Sequence, residues 1–364
     1  MSPLSRRTFL KACSAVPLSG FLAPGAAAAD VTGEHSKGID KLVRATLLDE
    51  GPGLAALVVV EGEVTHARGY GYADLKTGRR ITTRTPFDLA SVSKQFTAMA
   101  VMILAEREQL ALRDDVRRWL PELPVFNAKR PIRITDLLHH TSGLTDYMDL
   151  WTGSDEDFEK LPNSGVLKLA AANKLGHPTG TKYEYSNTNY ALLATIVERA
   201  AKIPFAKFQA QEIFKPLGMQ DSYVYDGTAR HSPLIPRGYK RDGDEAESVS
   251  SPSVLVGDGN QFSSLEDLAK WDAGLRAYKL VSEKMQLRAY TAGKLDDDEQ
   301  HSYGFGWRDT EDDDHPAVTH NGSWAGTATY ICRYLKDDVT IVVLSNDEAL
   351  DVDELGDAIA ELHR

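Results

Sequence analysis

Strand-forming runs lie near both ends of this chain with helical patterns between them, and that distribution constrains the fold more than any other feature. Early in the chain, 54–60 and 64–70 are β-rich and meet at Glu61-Gly62-Glu63, which predicts a hairpin. Late in the chain, 326–334 and 339–344 flank 335–338 as a second one. Amphipathic helices lie outside both. Ile39, Leu42, Val43, Thr46 and Leu47 form the stripe of the first, which stops before Gly51-Pro52-Gly53. Val352, Leu355, Ile359 and Leu362 share one face of the last. From 91 to about 275 the pattern is helical and loop-rich, most clearly at 187–201. Apolar faces must be buried against another layer. The expected fold is therefore α+β: an antiparallel sheet formed from both chain ends, terminal helices packed on it, and a largely helical inserted subdomain. The crevice between sheet and insertion is a natural place for a site. No internal repeat or Pro/Gly-rich linker divides 30–364, which is expected to be a single catalytic domain.

The first residues predict export. Ser5-Arg6-Arg7-Thr8-Phe9-Leu10-Lys11 leads into a short apolar stretch and an alanine run ending at Ala29. Paired arginines, a brief apolar region and small residues describe a twin-arginine signal over 1–29. Pro17, Gly20 and Pro24 break the apolar stretch, so no stable membrane anchor is expected, and the mature chain should be periplasmic or secreted. Cys13 would leave with the signal, and Cys332 alone cannot form an intrachain disulfide. Cleavage also removes three cations and no acid from a formal charge of −12. A balance so acidic argues against nucleic acid and anionic membrane surfaces as partners. The acidic stretches 242–247, 296–299 and 309–314 lack the Asp-x-Asp-x-Asp-Gly spacing of a calcium loop and read as solvated loops.

Chemistry enters at Ser91-Val92-Ser93-Lys94, the one Ser-x-x-Lys in the chain. It opens a predicted helix over 91–108 whose apolar face is Phe96, Met99, Ala100, Ile103 and Leu104. At about 3.6 residues per turn, Lys94 lies on nearly the same face as Ser91, one turn away. An amine held there can take the hydroxyl proton if its ammonium form is destabilised. On its own the pattern equally describes a helix-capping serine and a solvated lysine. Three further segments join it: Tyr185-Ser186-Asn187 entering the 187–201 helix, His320-Asn321-Gly322-Ser323 just before the 326–334 strand, and Leu137-Leu138-His139-His140-Thr141-Ser142-Gly143-Leu144. Adjacent histidines point apart and make a poor metal pair, so the last segment reads as a structural loop beneath the site. Gly69-Tyr70-Gly71 lacks the rest of a dinucleotide fingerprint, and no Gly-x-Ser-x-Gly, His-Glu-x-x-His or phosphate loop occurs. No cofactor and no metal are expected.

Ser-x-x-Lys, then Tyr-Ser-Asn, then His-x-Gly, in that order, resembles the penicillin-binding protein and class C β-lactamase superfamily of serine hydrolases. Gly257-Asp258-Gly259 and Tyr303-Gly304-Phe305-Gly306-Trp307 look like further marks of it, and the likeness runs over roughly 38–346. The resemblance implies an acyl-enzyme on Ser91, with Lys94 and Tyr185 as acid–base groups. It implies substrate contacts from Asn187, His320, Gly322 and Ser323, with orienting the strand as the alternative reading of His320, and an oxyanion hole from the backbone N–H groups of Ser91 and Ser323. Substrates in such a family are cell-wall peptides, esters or β-lactams. His320 stands where its β-lactamases usually carry the lysine of Lys-Thr-Gly, and Asn321 replaces the threonine. That points to a D-alanyl-D-alanine carboxypeptidase-like or D-amino-acid peptidase or esterase. The alternatives are a class C-type β-lactamase and a non-catalytic cell-wall-binding sensor.

Overall fold

The computed structural model describes residues 34–228, 231–249, 253–310, 312 and 314–363; the expected export signal at 1–29 lies outside them. The hairpin Leu54–Val60 (β1) and Glu63–Tyr70 (β2) joins four late strands: Arg308–Asp309 (β3), Ala317–Trp324 (β4), Thr327–Tyr334 (β5) and Val339–Ser345 (β6). The sheet order is β3-β4-β5-β6-β1-β2, antiparallel throughout. Its two sources meet where β1 pairs with β6, Leu54 opposite Ser345 and Val60 opposite Val339.

The unbroken apolar run of β1 follows from burial on both faces. Leu54, Ala56 and Val58 join one core with Ile39 and Val43 of the helix Glu34–Thr46 (α1) and Leu355 and Ile359 of the helix Val352–Ala360. Ala55, Leu57 and Val59 alternate with them and join the larger core of the helical insertion. Cys332 is buried in the terminal-helix core. β2 lies at the sheet's edge, and of its residues only His66 and Tyr70 are buried.

The structure corrects several sequence expectations. The helix expected over 91–108 begins as a 3-10 turn, Ala90–Ser93, and becomes α-helical only over Lys94–Glu106 (α2). Glu108 then takes a left-handed backbone, φ +57°, that ends it. Far from showing one apolar face, α2 is buried at every position from Lys94 to Leu104. The 320–323 segment does precede the Thr327–Tyr334 strand, but it is itself part of a strand, β4, which pairs with β5. The acidic 242–247 stretch is the tip of a hairpin, Gly238–Asp242 with Glu245–Val249. Among the described residues, no helix is long and apolar enough to cross a membrane, and no group of three or more His, Cys, Asp or Glu could hold a metal ion.

Candidate active site

Ser91 occupies a tight turn held from three sides. The Asp88 carboxylate accepts the Ala90 N–H at 2.9 Å, and Ala90 takes φ +45°, a region L-residues seldom adopt. Thr329 on β5 donates to Leu89 O at 2.9 Å and ties the turn to the sheet. Gly322 on β4 lies so close that a Cβ there would come within 2.6 Å of Ser91 N. Only glycine lets the strand leading into Ser323 reach the Ser91 amide.

One turn on, Lys94 is fully buried. Its Nζ is 2.8 Å from Asn187 Oδ1, 2.8 Å from Asp258 O and 3.0 Å from Ser91 Oγ. The first two atoms can only accept, so they take two N–H bonds. A neutral amine then keeps its lone pair for the third neighbour, the Ser91 hydroxyl, and can receive that proton. The two acceptors come from distant loops. Asp258 is carried on a strap that Thr97 fastens to α2, its hydroxyl donating to Gly257 O at 2.7 Å. Asn187 opens the helix Asn187–Ala201, and Asp146 turns its amide by accepting from Asn187 N at 2.6 Å and Nδ2 at 3.0 Å.

Burial dominates the electrostatics around this turn. It raises the Asp88 carboxyl to about 6 despite the Ala90 N–H, and raises Asp258 as well. Tyr147 donates its hydroxyl to Asp258 Oδ2 at 2.8 Å.

A cleft of about 490 Å³ opens over Ser91. Tyr185, Arg308, Asn321, Gly322 and Ser323 form one part of its lining, and the 348–353 segment forms another with Glu348, Asp351 and Asp353. The Tyr185 ring centroid is 5.0 Å from Lys94 Nζ. The expected set is therefore gathered at one place, with two adjustments. Of the two readings of His320, substrate contact or orienting the strand, the geometry fits the second: it faces inward, 1% exposed, its Nε2 2.8 Å from Tyr303 Oη and its Nδ1 2.6 Å from Asn321 O. Burial lowers its pKa to about 3, so it is a neutral prop under the strand. Asn187, also expected to bind substrate, is not part of the cleft lining; its oxygen holds Lys94 and its NH2 goes to Asp146.

Arg308 escaped the sequence reading. It follows Tyr303-Gly304-Phe305-Gly306-Trp307 directly, and a lone cation ending an aromatic-glycine motif was the available signal. Its guanidinium carbon lies 5.5 Å from the Tyr185 ring centroid and 5.7 Å from that of Tyr303, and its buried Nε has no hydrogen-bond partner.

This sheet, insertion and Ser-Lys-Tyr cluster define the serine-hydrolase architecture shared by penicillin-binding proteins and β-lactamases. The chain belongs to the Beta-lactamase family, whose profile matches residues 39–364. It is 33% identical over 306 residues to penicillin-binding protein 4* of Bacillus subtilis, covering 79% of this chain and 66% of that protein. The chain thus spans just under two thirds of that relative's length. In fold it is similar to the octameric penicillin-binding protein homologue of Pyrococcus abyssi, with a TM-score of 0.77, 23% identity and coverage of 90% of this chain and 76% of that one. The D-amino acid amidase of Ochrobactrum anthropi superposes with a TM-score of 0.73 at 22% identity, covering 91% of this chain and 98% of that one.

Proposed function

We propose that this chain is a serine hydrolase that forms an acyl-enzyme on Ser91 and acts on D-amino-acid peptides, amides or esters, in the manner of a D-alanyl-D-alanine carboxypeptidase or D-amino-acid amidase. The observation that carries the reading is the Lys94 amine, bound to two carbonyl oxygens and within 3.0 Å of Ser91 Oγ. In acylation Lys94 Nζ takes the Ser91 proton while Oγ bonds to the substrate carbonyl carbon. The N–H groups of Ser91 and Ser323 receive the developing oxyanion. As the tetrahedral intermediate collapses, the bond to the leaving amine or alcohol breaks and that group takes a proton from the Lys94–Tyr185 pair. Water then attacks the acyl ester, the pair takes its proton, and Ser91 leaves with a proton restored.

Arg308 refines the substrate class. Without a lysine at position 320, the cation nearest Tyr185 on the cleft lining is this guanidinium, which suits a substrate carboxylate. A free C-terminal carboxylate and a β-lactam carboxylate share that chemistry, so Arg308 also keeps β-lactams within reach as acylating agents. We further propose that Arg6-Arg7 directs export by the twin-arginine route, which replacing both arginines by lysine should block.

Intact-mass spectrometry after treatment with a fluorophosphonate or a penicillin tests the central reading. One adduct is expected, mapping to Ser91 and lost in Ser91→Ala. An adduct that survives in Ser91→Ala, or maps to Ser186, rejects it.

A further inference from the structure

Behind Tyr185 lies a buried histidine that the reaction above does not use. His140 is fully buried, and its backbone takes φ +58°, just beyond the helix Ile134–Leu138 and its cap His139. It grips the chain on both sides of Tyr185. Its carbonyl accepts the Glu184 N–H at 2.9 Å, and its Nδ1 accepts the Ser186 N–H at 3.1 Å. Its ring lies against the Tyr185 ring, 4.4 Å between centroids and tilted by 31°.

The hydrogen bonds around it fix its tautomer. The Ser186 backbone N–H can only donate, so Nδ1 must accept it; beside it the Ser142 hydroxyl accepts from Leu144 N–H at 3.0 Å and donates to Asn189 Oδ1 at 2.6 Å. That turns Asn189 Nδ2 toward His140 Nδ1, at 3.1 Å. Both neighbours of Nδ1 are N–H donors, so Nδ1 carries a lone pair and the ring's one proton is on Nε2. Nε2 has no oxygen or nitrogen partner, and the ring is packed among Tyr185, Tyr190 and Tyr303. Burial holds the imidazole well below its usual range, in keeping with a neutral ring.

We propose that His140 is the positioning residue for Tyr185: a neutral, Nε2-protonated imidazole that clasps the backbone before and after the tyrosine and sets its ring over Lys94. The proposal rests on Tyr185 being an acid–base group. It also gives the His140-Thr141-Ser142-Gly143 segment a task. Thr141 O accepts Gly180 N–H at 2.8 Å and Gly143 O accepts Gly176 N–H at 2.9 Å, so the segment is a rail on which the chain leading to Tyr185 is laid.

The test combines one spectrum with four variants, read with a nitrophenyl ester and by melting temperature. Nitrogen-15 histidine spectra of the whole protein should show His140 protonated at Nε2 and bare at Nδ1. His140→Phe keeps a ring and removes the acceptor. Misplacement of a reacting group by about 1 Å can cost about 100-fold, so kcat should fall by about 10- to 100-fold with KM little changed. His140→Asn returns an acceptor at the Nδ1 position and should recover most of that loss. Asn189→Asp sets a carboxylate against Nδ1, demands a proton there and should lower kcat without removing the histidine. A folded His140→Phe with wild-type kcat, a His140→Asn no better than His140→Phe, or a proton found on Nδ1 in the wild type overturns the proposal. Should His140→Phe not fold, the wild-type tautomer and Asn189→Asp decide alone. Tyr185→Phe separates the two readings: if it is harmless, the acid–base role of Tyr185 fails and the proposal with it. If it is damaging while His140→Phe is silent, only the proposal fails.

Discussion

Each atom around Lys94 has one task that its chemistry permits. Two carbonyl oxygens accept N–H bonds from its Nζ, and Ser91 Oγ is the third neighbour at 3.0 Å, the position a lone pair would face in the neutral amine. Lys94→Arg keeps the charge and much of the volume but cannot accept a proton at working pH. Acylation should therefore fall by at least about 100-fold, the range usual for lost acid–base catalysis, as measured by fluorophosphonate labelling rates. Near-wild-type labelling would reduce the lysine to an electrostatic fixture. Arg308 makes a different claim, on binding. Arg308→Gln removes one charge-assisted hydrogen bond of about 1.5–3 kcal/mol, or roughly 10- to 150-fold in affinity for carboxylate-bearing substrates. Steady-state kinetics should show KM rising for a D-alanyl-D-alanine peptide while a neutral nitrophenyl ester is hydrolysed as before. Equal losses on both would mean that Arg308 supports the Tyr185 ring and does not bind the carboxylate.

At the scale of elements, the turn between Phe87–Asp88 and α2 is where local preference and function conflict. Alanine at φ +45° is unfavourable, and the desolvated Asp88 carboxylate that holds its N–H is unfavourable too. The sign follows from the shift. A carboxyl raised from 3.8 to about 6 in the fold contributes stability that is fully present below about pH 3.8 and lost as pH rises through about 6. Asp88→Asn keeps an oxygen for Ala90 N–H and removes the titration. Its melting temperature should gain on the wild type as pH rises from about 4 to 6, with the difference constant above that. A difference independent of pH would show that Asp88 does not titrate in this range. The same turn shows what the sequence revealed and what it hid. Ser91, Lys94 and Tyr185 were legible because spacing and order carry them. The 3-10 start of α2 was not, because it is imposed by Asp88 and by Gly322 across the sheet. Which of its two readings His320 takes was hidden because its inward face depends on β4 being a strand, and Asn321-Gly322-Ser323 blurs the alternation that marks one. Arg308 and Asp146 act through contacts far apart in sequence, which no local pattern displays.

Over the whole molecule, the sheet is the part most readily read from the sequence, since apolar runs at both chain ends need a common partner. β6 is its keystone: it pairs with β5 on one side and β1 on the other. A chain ending at 338 loses that strand and the helix Val352–Ala360, which shares a core with β1. Such a chain should show no cooperative thermal transition and no labelling at Ser91; a cooperative melt from it would mean that the helical insertion folds without the sheet. The pairing of Val60 with Val339 also sets a clock on biosynthesis. At about 5–20 residues per second, β1 waits on the order of 15–60 seconds after leaving the ribosome before its partner exists. Throughout that time Leu-Ala-Ala-Leu-Val-Val-Val has β2 along one edge but lacks β6 along the other and the cover of the helix Val352–Ala360. The Ser91 turn, braced by Thr329 and Gly322 of late strands, is among the last places to become native. An exporter that accepts only folded cargo would then admit a chain whose active site is already assembled.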